Sequence, residues 1–230
     1  MKIAATSGGL GDIVYSIPVM RELQVSTVFV KEDYYFPPYG SLYSAIRSLL
    51  EQEGFEVKPT KGGYGSMHYE PGLRFDYDMD RFRTMTGRAR IFIPDNMRKA
   101  FHLPAKEQYQ PWLSLPTVTG DYTVFHLTNR WNGGKIDWTR ILHEVPGKKL
   151  FCGFQSEWLE FCTRFGNIEW YPTSDVLEMA QLIAGAKAIY CNQSVALTLA
   201  QGLGKEYWLE RNPGKTNCLI CSPTQHLLNP

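Results

Sequence analysis

Three short segments and one longer stretch of this chain carry residue types suited to phosphates, protons and sugars. In Ser7-Gly8-Gly9-Leu10-Gly11-Asp12, glycines such as Gly9 and Gly11 at a strand-to-helix turn let the backbone approach a ligand and aim free amides at it. Asp12 is then placed as a general base, although a capping aspartate that satisfies the first helical amides would occupy the same position. Neither the G-x-G-x-x-G spacing of a dinucleotide site nor the Lys-Ser/Thr of a P-loop is present. In Asn192-Gln193-Ser194, the amides of a helix's first turn and its dipole favour a diphosphate, and the small polar side chains can add hydrogen bonds. A plain helix cap accounts for the same three residues equally well.

The third segment, Arg130-Trp131-Asn132-Gly133-Gly134-Lys135, offers the fixed donor fork of Arg130 and the mobile ammonium of Lys135. Both suit a pyrophosphate whose charge grows as its sugar leaves; solvated loop charges are the competing explanation. Residues 74 to 106 carry eight Lys or Arg against four Asp, interleaved with Phe75, Tyr77, Phe82, Phe92 and Phe101. Basic and aromatic side chains together grip a phosphate backbone and stack bases. Arg81, Arg83, Arg88 and Arg90 are therefore candidate acceptor contacts, for a saccharide, a lipid-saccharide or a modified base in DNA, against the alternative of a solvated face.

Elements that would position these residues follow from hydrophobic periodicity. A strand at Lys2 to Thr6 runs into the glycine turn and an apolar helical pattern at Ile13, Ile17, Met20 and Leu23, the opening of a Rossmann-like half. Pro18 predicts a kink, or a helix that regularises only near Ser16. A strand over Ser26 to Val30, a helix over Tyr43 to Gln52 and a strand at Phe55 to Val57 complete this half. From Pro59 to about Pro116 the periodicity fades, and Pro111 to Pro116 reads as a linker. The second half predicts strands at Tyr122 to Leu127, Lys149 to Phe154, Ile168 to Trp170, Ala188 to Cys191 and Tyr207 to Glu210. Helices are predicted at Asp137 to Glu144, Ser156 to Arg164, Ser174 to Ala186 and Ser194 to Gly202. Asp175 and Glu178 have capping-box spacing at the start of the third of these. Such alternation implies an α/β protein with two parallel sheets, each covered by helices, facing a central cleft. The lobes are placed at residues 1–116 and 117–230.

Composition narrows the partners. With 230 residues, two small cores are possible but tight. A formal charge of +1 argues against a whole-surface field for nucleic acid or anionic lipid, so any polyanion contact must be local. There is no apolar run long enough to span a bilayer and no apolar leader after Met1, so a cytoplasmic protein without a transmembrane segment is expected. Among five cysteines only Cys218 and Cys221 have C-x-x-C spacing; without a second ligand pair, reduced and mostly buried thiols are expected, with no metal site.

The block Gly9-Leu10-Gly11-Asp12-Ile13-Val14-Tyr15-Ser16-Ile17-Pro18-Val19-Met20-Arg21-Glu22-Leu23 resembles the opening of the lipopolysaccharide heptosyltransferase-like group, glycosyltransferase family 9. Leu177 to Lys187, then Asn192-Gln193-Ser194 and Leu199 to Lys205, resemble its donor-binding helix, strand and helix, and Lys135-Ile136-Asp137-Trp138 is similar to its lysine-tryptophan segment. About half of the chain is covered. The resemblance implies a GT-B-like fold of two Rossmann-like lobes. It further implies inverting, metal-independent transfer with no cofactor from a nucleotide-sugar donor, Asp12 as general base, and a donor-side second lobe. Gln155 and Glu157 become weaker candidates for the nucleoside sugar, against a solvated helix start. The chain departs from the family where Asn192-Gln193-Ser194 replaces Asp-Ser-Gly and a following His, which leaves the donor's identity open. A different class of function, a nucleotide- or sugar-binding module that kept the fold without catalysis, fits the same residues.

Overall fold

A computed structural model of the chain describes residues 1–33, 38–63, 68–84, 91–106, 108–116, 120–131, 136–212, 218 and 224–228. Small buried side chains at Ala4 and Ala5 let β1 (Lys2–Thr6) lie in the middle of the first sheet. It pairs in parallel with β2 (Val25–Lys31) on one side and with the two-residue β6 (Tyr77–Asp78) on the other. With β3 (Glu56–Thr60) the order is β3-β2-β1-β6. A separate antiparallel pair joins β4 (Gly62–Gly63) to β5 (His68–Tyr69).

The helix after β1, α1 (Leu10–Glu22), continues through Pro18 and is already regular before Ser16. Its residues Ile13, Val14, Ile17 and Val19 are fully buried, so packing on all sides holds the helix where propensity alone would bend it. Ser41 caps α2 (Leu42–Gln52) by accepting from the Ser44 amide at 3.0 Å. The weakly patterned stretch after Pro59 contains α3 (Ile93–Ala100), with a proline in its first turn.

The second sheet is parallel throughout, ordered β12-β11-β10-β7-β8-β9. Its strands are β7 (Tyr122–His126), β8 (Lys148–Cys152), β9 (Glu169–Tyr171), β10 (Ile189–Asn192), β11 (Tyr207–Glu210) and β12 (Gln225–Leu227). Strand β8 stops at Cys152 rather than Phe154, because Gly153 at φ +145° turns the chain into α5 (Gln155–Phe165). The short outer strand β12 was not foreseen. Helices α4 (Trp138–Glu144) and α5 cover one face, where Phe161 of α5 packs with Phe125 and Phe151 of the sheet. On the other face lie α6 (Val176–Gly185) and α7 (Val195–Leu203). Asp175 accepts from the Glu178 amide at 2.8 Å, and the Ser174 amide donates to Glu178 at 2.7 Å, so the capping spacing is realised.

The lobes share one core: α1 packs on α7 and α2 on α6, within a continuous cluster of buried side chains. Tyr15 on α1 donates to Gln201 on α7 at 2.7 Å, and the Tyr39 and Thr173 hydroxyls meet at 2.9 Å. The linker is strapped down, since the amides of Trp112 and Leu113 both donate to the Gly202 carbonyl, at 2.8 and 2.9 Å. A side chain at Gly202 would lie 2.8 Å from Leu113, which is why a glycine stands there. Among the described residues no helix is long and apolar enough to cross a membrane. Cys152, Cys191 and Cys218 are buried and free, and Cys162 is free and half-buried; Cys221 lies outside the described residues.

Candidate functional site

Open parallel sheets offer ligand sites where neighbouring strands connect in opposite directions, just beyond their carboxyl ends. In the first sheet that place is between β1 and β6; in the second it is between β7 and β10. The two places meet. A Cβ added at Gly11 would stand 3.1 Å from the Thr198 hydroxyl and 3.9 Å from the Val195 amide nitrogen, so the first turns of α1 and α7 abut. The missing side chain of Gly11 thus admits the neighbouring helix, a packing reason for a glycine that the sequence had linked to ligand approach.

A charged cluster fills the first switch point. The amide and hydroxyl of Ser7, just past β1, donate to Asp80 Oδ2 at 2.7 and 3.0 Å. Asp80 Oδ1 accepts from Arg83 Nε at 2.9 Å, and Arg83 Nη2 donates to Asp12 Oδ2. The Asp12 side chain keeps 22 % of its surface exposed. Burial pushes its carboxyl above the ordinary aspartate range and nearby Asp80 adds to the rise, while Arg83 and a Gly9 backbone hydrogen bond oppose it. Gly8 has a spatial reason of its own: a Cβ there would stand 2.6 Å from Arg83 Nη2 and 2.7 Å from Asp80 Oδ1. Gly9 caps α1 without a side-chain bond.

The second switch point is bridged by a neutral amide. Asn192, fully buried at the end of β10, accepts from the Thr128 amide at 3.1 Å and donates to the Thr128 carbonyl at 2.7 Å. Gln193 is also buried; it accepts from the Asn212 amide at 2.7 Å and donates to Cys218 Sγ. Both side chains therefore make hydrogen bonds within the fold. Ser194 donates to the Asn192 carbonyl at 3.3 Å, and α7 starts with no side-chain cap. The amides of its first turn remain the anion-seeking groups there.

Other candidates are dispersed. Arg130 is exposed in a 3-10 turn (Asn129–Trp131) just past β7; Lys135 lies outside the described residues. Glu157 accepts from the Phe154 amide at 3.1 Å and so caps the start of α5. Gln155 opens α5 and is exposed. Arg81 is exposed, Arg83 belongs to the charged cluster, and Arg88 and Arg90 lie outside the described residues. Arg98 and Lys106 both pair with Glu22, which neutralises part of the expected basic surface. Two shallow concavities, one beside α3 around Lys99 and His102 and one at the amino ends of β7 and β8 around Tyr122 and Lys148, contain no residue of either switch point.

Three participants escaped sequence reasoning. Asp80 and Ser7 are read only once β6 is known to pair with β1. His126, 3 % exposed on β7, bonds through Nδ1 to the Cys152 carbonyl at 2.6 Å. Its Nε2 and the Thr128 hydroxyl, both buried at the second switch point, have no hydrogen-bond partner among the described residues. An imidazole at the end of an otherwise apolar strand was the available signal.

No family model and no curated protein matches the sequence. Solved structures match the fold along nearly all of it. Escherichia coli heptosyltransferase WaaC with ADP-2-deoxy-2-fluoro heptose aligns at TM-score 0.59 and 13 % identity, over 99 % of this chain and 92 % of that one. Escherichia coli ADP-heptose lps heptosyltransferase II aligns at 0.61 and 14 %, over 99 % and 90 %. A glycosyl transferase family 9 protein from Veillonella parvula aligns at 0.56 and 11 %, over 99 % and 85 %. The chain has the two-lobed GT-B-like fold of the heptosyltransferase-like family 9 structures.

Proposed function

We propose that this chain is a glycosyltransferase that moves a sugar from a nucleotide-sugar donor to an acceptor hydroxyl, with inversion and without a metal. Residues 1–116 form the acceptor side and 117–230 the donor side. Asp12 takes the proton of the acceptor hydroxyl as its oxygen bonds to the anomeric carbon; the sugar-phosphate bond breaks and the diphosphate leaves with the electron pair. The first-turn amides of α7, with Arg130 and Lys135 from the loop after β7, steady the charge that develops on the leaving group.

The observation that carries this reading is the abutment of α1 and α7, which sets a partly exposed carboxylate beside an uncapped helix start. The likeness to nucleotide-sugar enzymes supports it at the level of fold. A saccharide acceptor is favoured over a DNA base because Arg83, Arg98 and Lys106 are each paired with carboxylates. Duplex DNA should therefore show no salt-dependent gel shift.

A thermal-shift screen with UDP, GDP, ADP and CMP tests the donor side, since a ligand that binds only the folded chain raises its midpoint. One nucleotide is expected to do so, equally in wild type and Asp12→Ala, while release of diphosphate from the matching nucleotide sugar is lost in the variant. No shift with any nucleotide refutes donor binding; a shift without turnover in either protein identifies a binding module.

A further inference from the structure

Arg83 stands among the candidate acceptor contacts in the sequence, yet its guanidinium is turned to two carboxylates. Asp80 holds Nε, Asp12 receives Nη2, and Ser7 holds Asp80 from the far side with two hydrogen bonds. The Asp80 side chain is 10 % exposed and that of Arg83 21 %. The fork therefore has a fixed origin rather than a mobile surface setting. Gly8 leaves the volume that the pair occupies. A planar, always charged fork with a second carboxylate behind it fixes direction as well as charge.

We propose that Arg83 is the positioning residue of the transfer site: anchored by Asp80 and Ser7, it sets the orientation of the Asp12 carboxylate from which the acceptor proton is taken. The assignment rests on Asp12 being the base. A carboxylate tied at Oδ2 cannot rotate freely, and orientation of this kind separates a productive from an idle base. Arg83 also opposes the effect of burial on Asp12. Among the described residues, the charged and titratable groups around Asp12 are Arg83 and Asp80 from the turn after β6 and Tyr15 one helical turn along α1; α7 presents the hydroxyl of Thr198 to the turn at Gly11.

Two measurements test this. The first follows the Asp12 carboxyl carbon by NMR against pH in aspartate-labelled protein, its signal assigned by its loss in Asp12→Asn. In Arg83→Met the titration midpoint rises, because only the Gly9 hydrogen bond then opposes burial, and Arg83→Lys recovers part of the difference. The second follows release of nucleoside diphosphate from ADP-, UDP- and GDP-sugars with water as the only acceptor. Arg83→Met lowers that rate by about 10- to 100-fold, moves its acid limb to higher pH and leaves the ADP, UDP or GDP thermal shift unchanged. Asp80→Asn keeps the guanidinium but weakens its anchor, and gives a smaller loss of rate with a lower melting temperature, since a buried donor loses its acceptor; it stands in if Arg83→Met does not fold.

An Asp12 midpoint unmoved in Arg83→Met, or wild-type hydrolysis in both Arg83→Met and Asp80→Asn, overturns the assignment. An arginine that only gripped the acceptor would give that second result. Wild-type hydrolysis in Asp12→Asn instead refutes the base itself, so the two failures are told apart.

Discussion

The two switch points do the same topological job with different chemistry. Between β1 and β6 the gap is closed by charges, Asp80 to Arg83 to Asp12, with Ser7 behind. Between β7 and β10 it is closed by one amide, Asn192, which reproduces a backbone pairing with Thr128. A neutral amide that satisfies a buried backbone costs little to desolvate and makes a rigid rim. A charged cluster is harder to bury, and under the proposed function it is the rim that would carry the proton chemistry. One rim is tied by a neutral amide and the other by an ion-paired cluster.

Four substitutions sharpen or break that contrast. Asp12→Ala should lower diphosphate release by about 100- to 10,000-fold with its melting temperature little changed; a loss of less than threefold would leave the charged rim without a chemical role. Next comes Gly8→Ala, which must push Arg83 and Asp80 apart. It should cut the same rate by about 10- to 100-fold and cost about 1–3 kcal/mol in urea unfolding. Asn192→Ala tests the opposite rim: orphaning the Thr128 amide and carbonyl costs about 1–3 kcal/mol for each, and each kcal/mol lowers the melting temperature by about 2–4 °C. An Asn192→Ala chain that melts like wild type but loses nucleotide affinity would return that residue to the ligand. The smallest effect belongs to Ser7→Ala, which removes one of two bonds to Asp80 and should cost about 0.5–1.5 kcal/mol, read by the same unfolding.

A pH profile sharpens the contrast further. Because the Asp12 carboxyl sits above the ordinary aspartate value of 3.8, the rate should climb with pH through a midpoint above that value. The wild-type rate profile checks it: an acid limb at or below the ordinary value would mean that Arg83 outweighs burial.

Much of the scaffold was legible because strand and helix periods alternate cleanly from Lys2 to Val57 and from Tyr122 to Glu210. Local capping was readable for the same reason: Asp175 and Glu178 are three residues apart and need no tertiary information. The charged rim was not readable. Arg83 and Asp12 are 71 positions apart, and the element that joins them is a two-residue strand followed by a 3-10 turn, too short for any period. Sequence placed Asp12 in the crevice but gave Arg83 to the acceptor, since a positive charge in a basic stretch looks solvated until its partner is known. The long-range bonding of Asn192 was equally hidden. A small polar residue before a helix reads as a cap, whereas its partner lies 64 residues away.

The strap that fixes Trp112 and Leu113 to Gly202, with the Tyr15 clasp on Gln201, has a practical consequence for anyone dividing the molecule. A knife placed between residues 116 and 117 would strip α1 and α2 of the helices they are packed against, leaving a broad greasy wound on each fragment. Either half made alone should aggregate, and the pair should be recovered only when both are synthesised together.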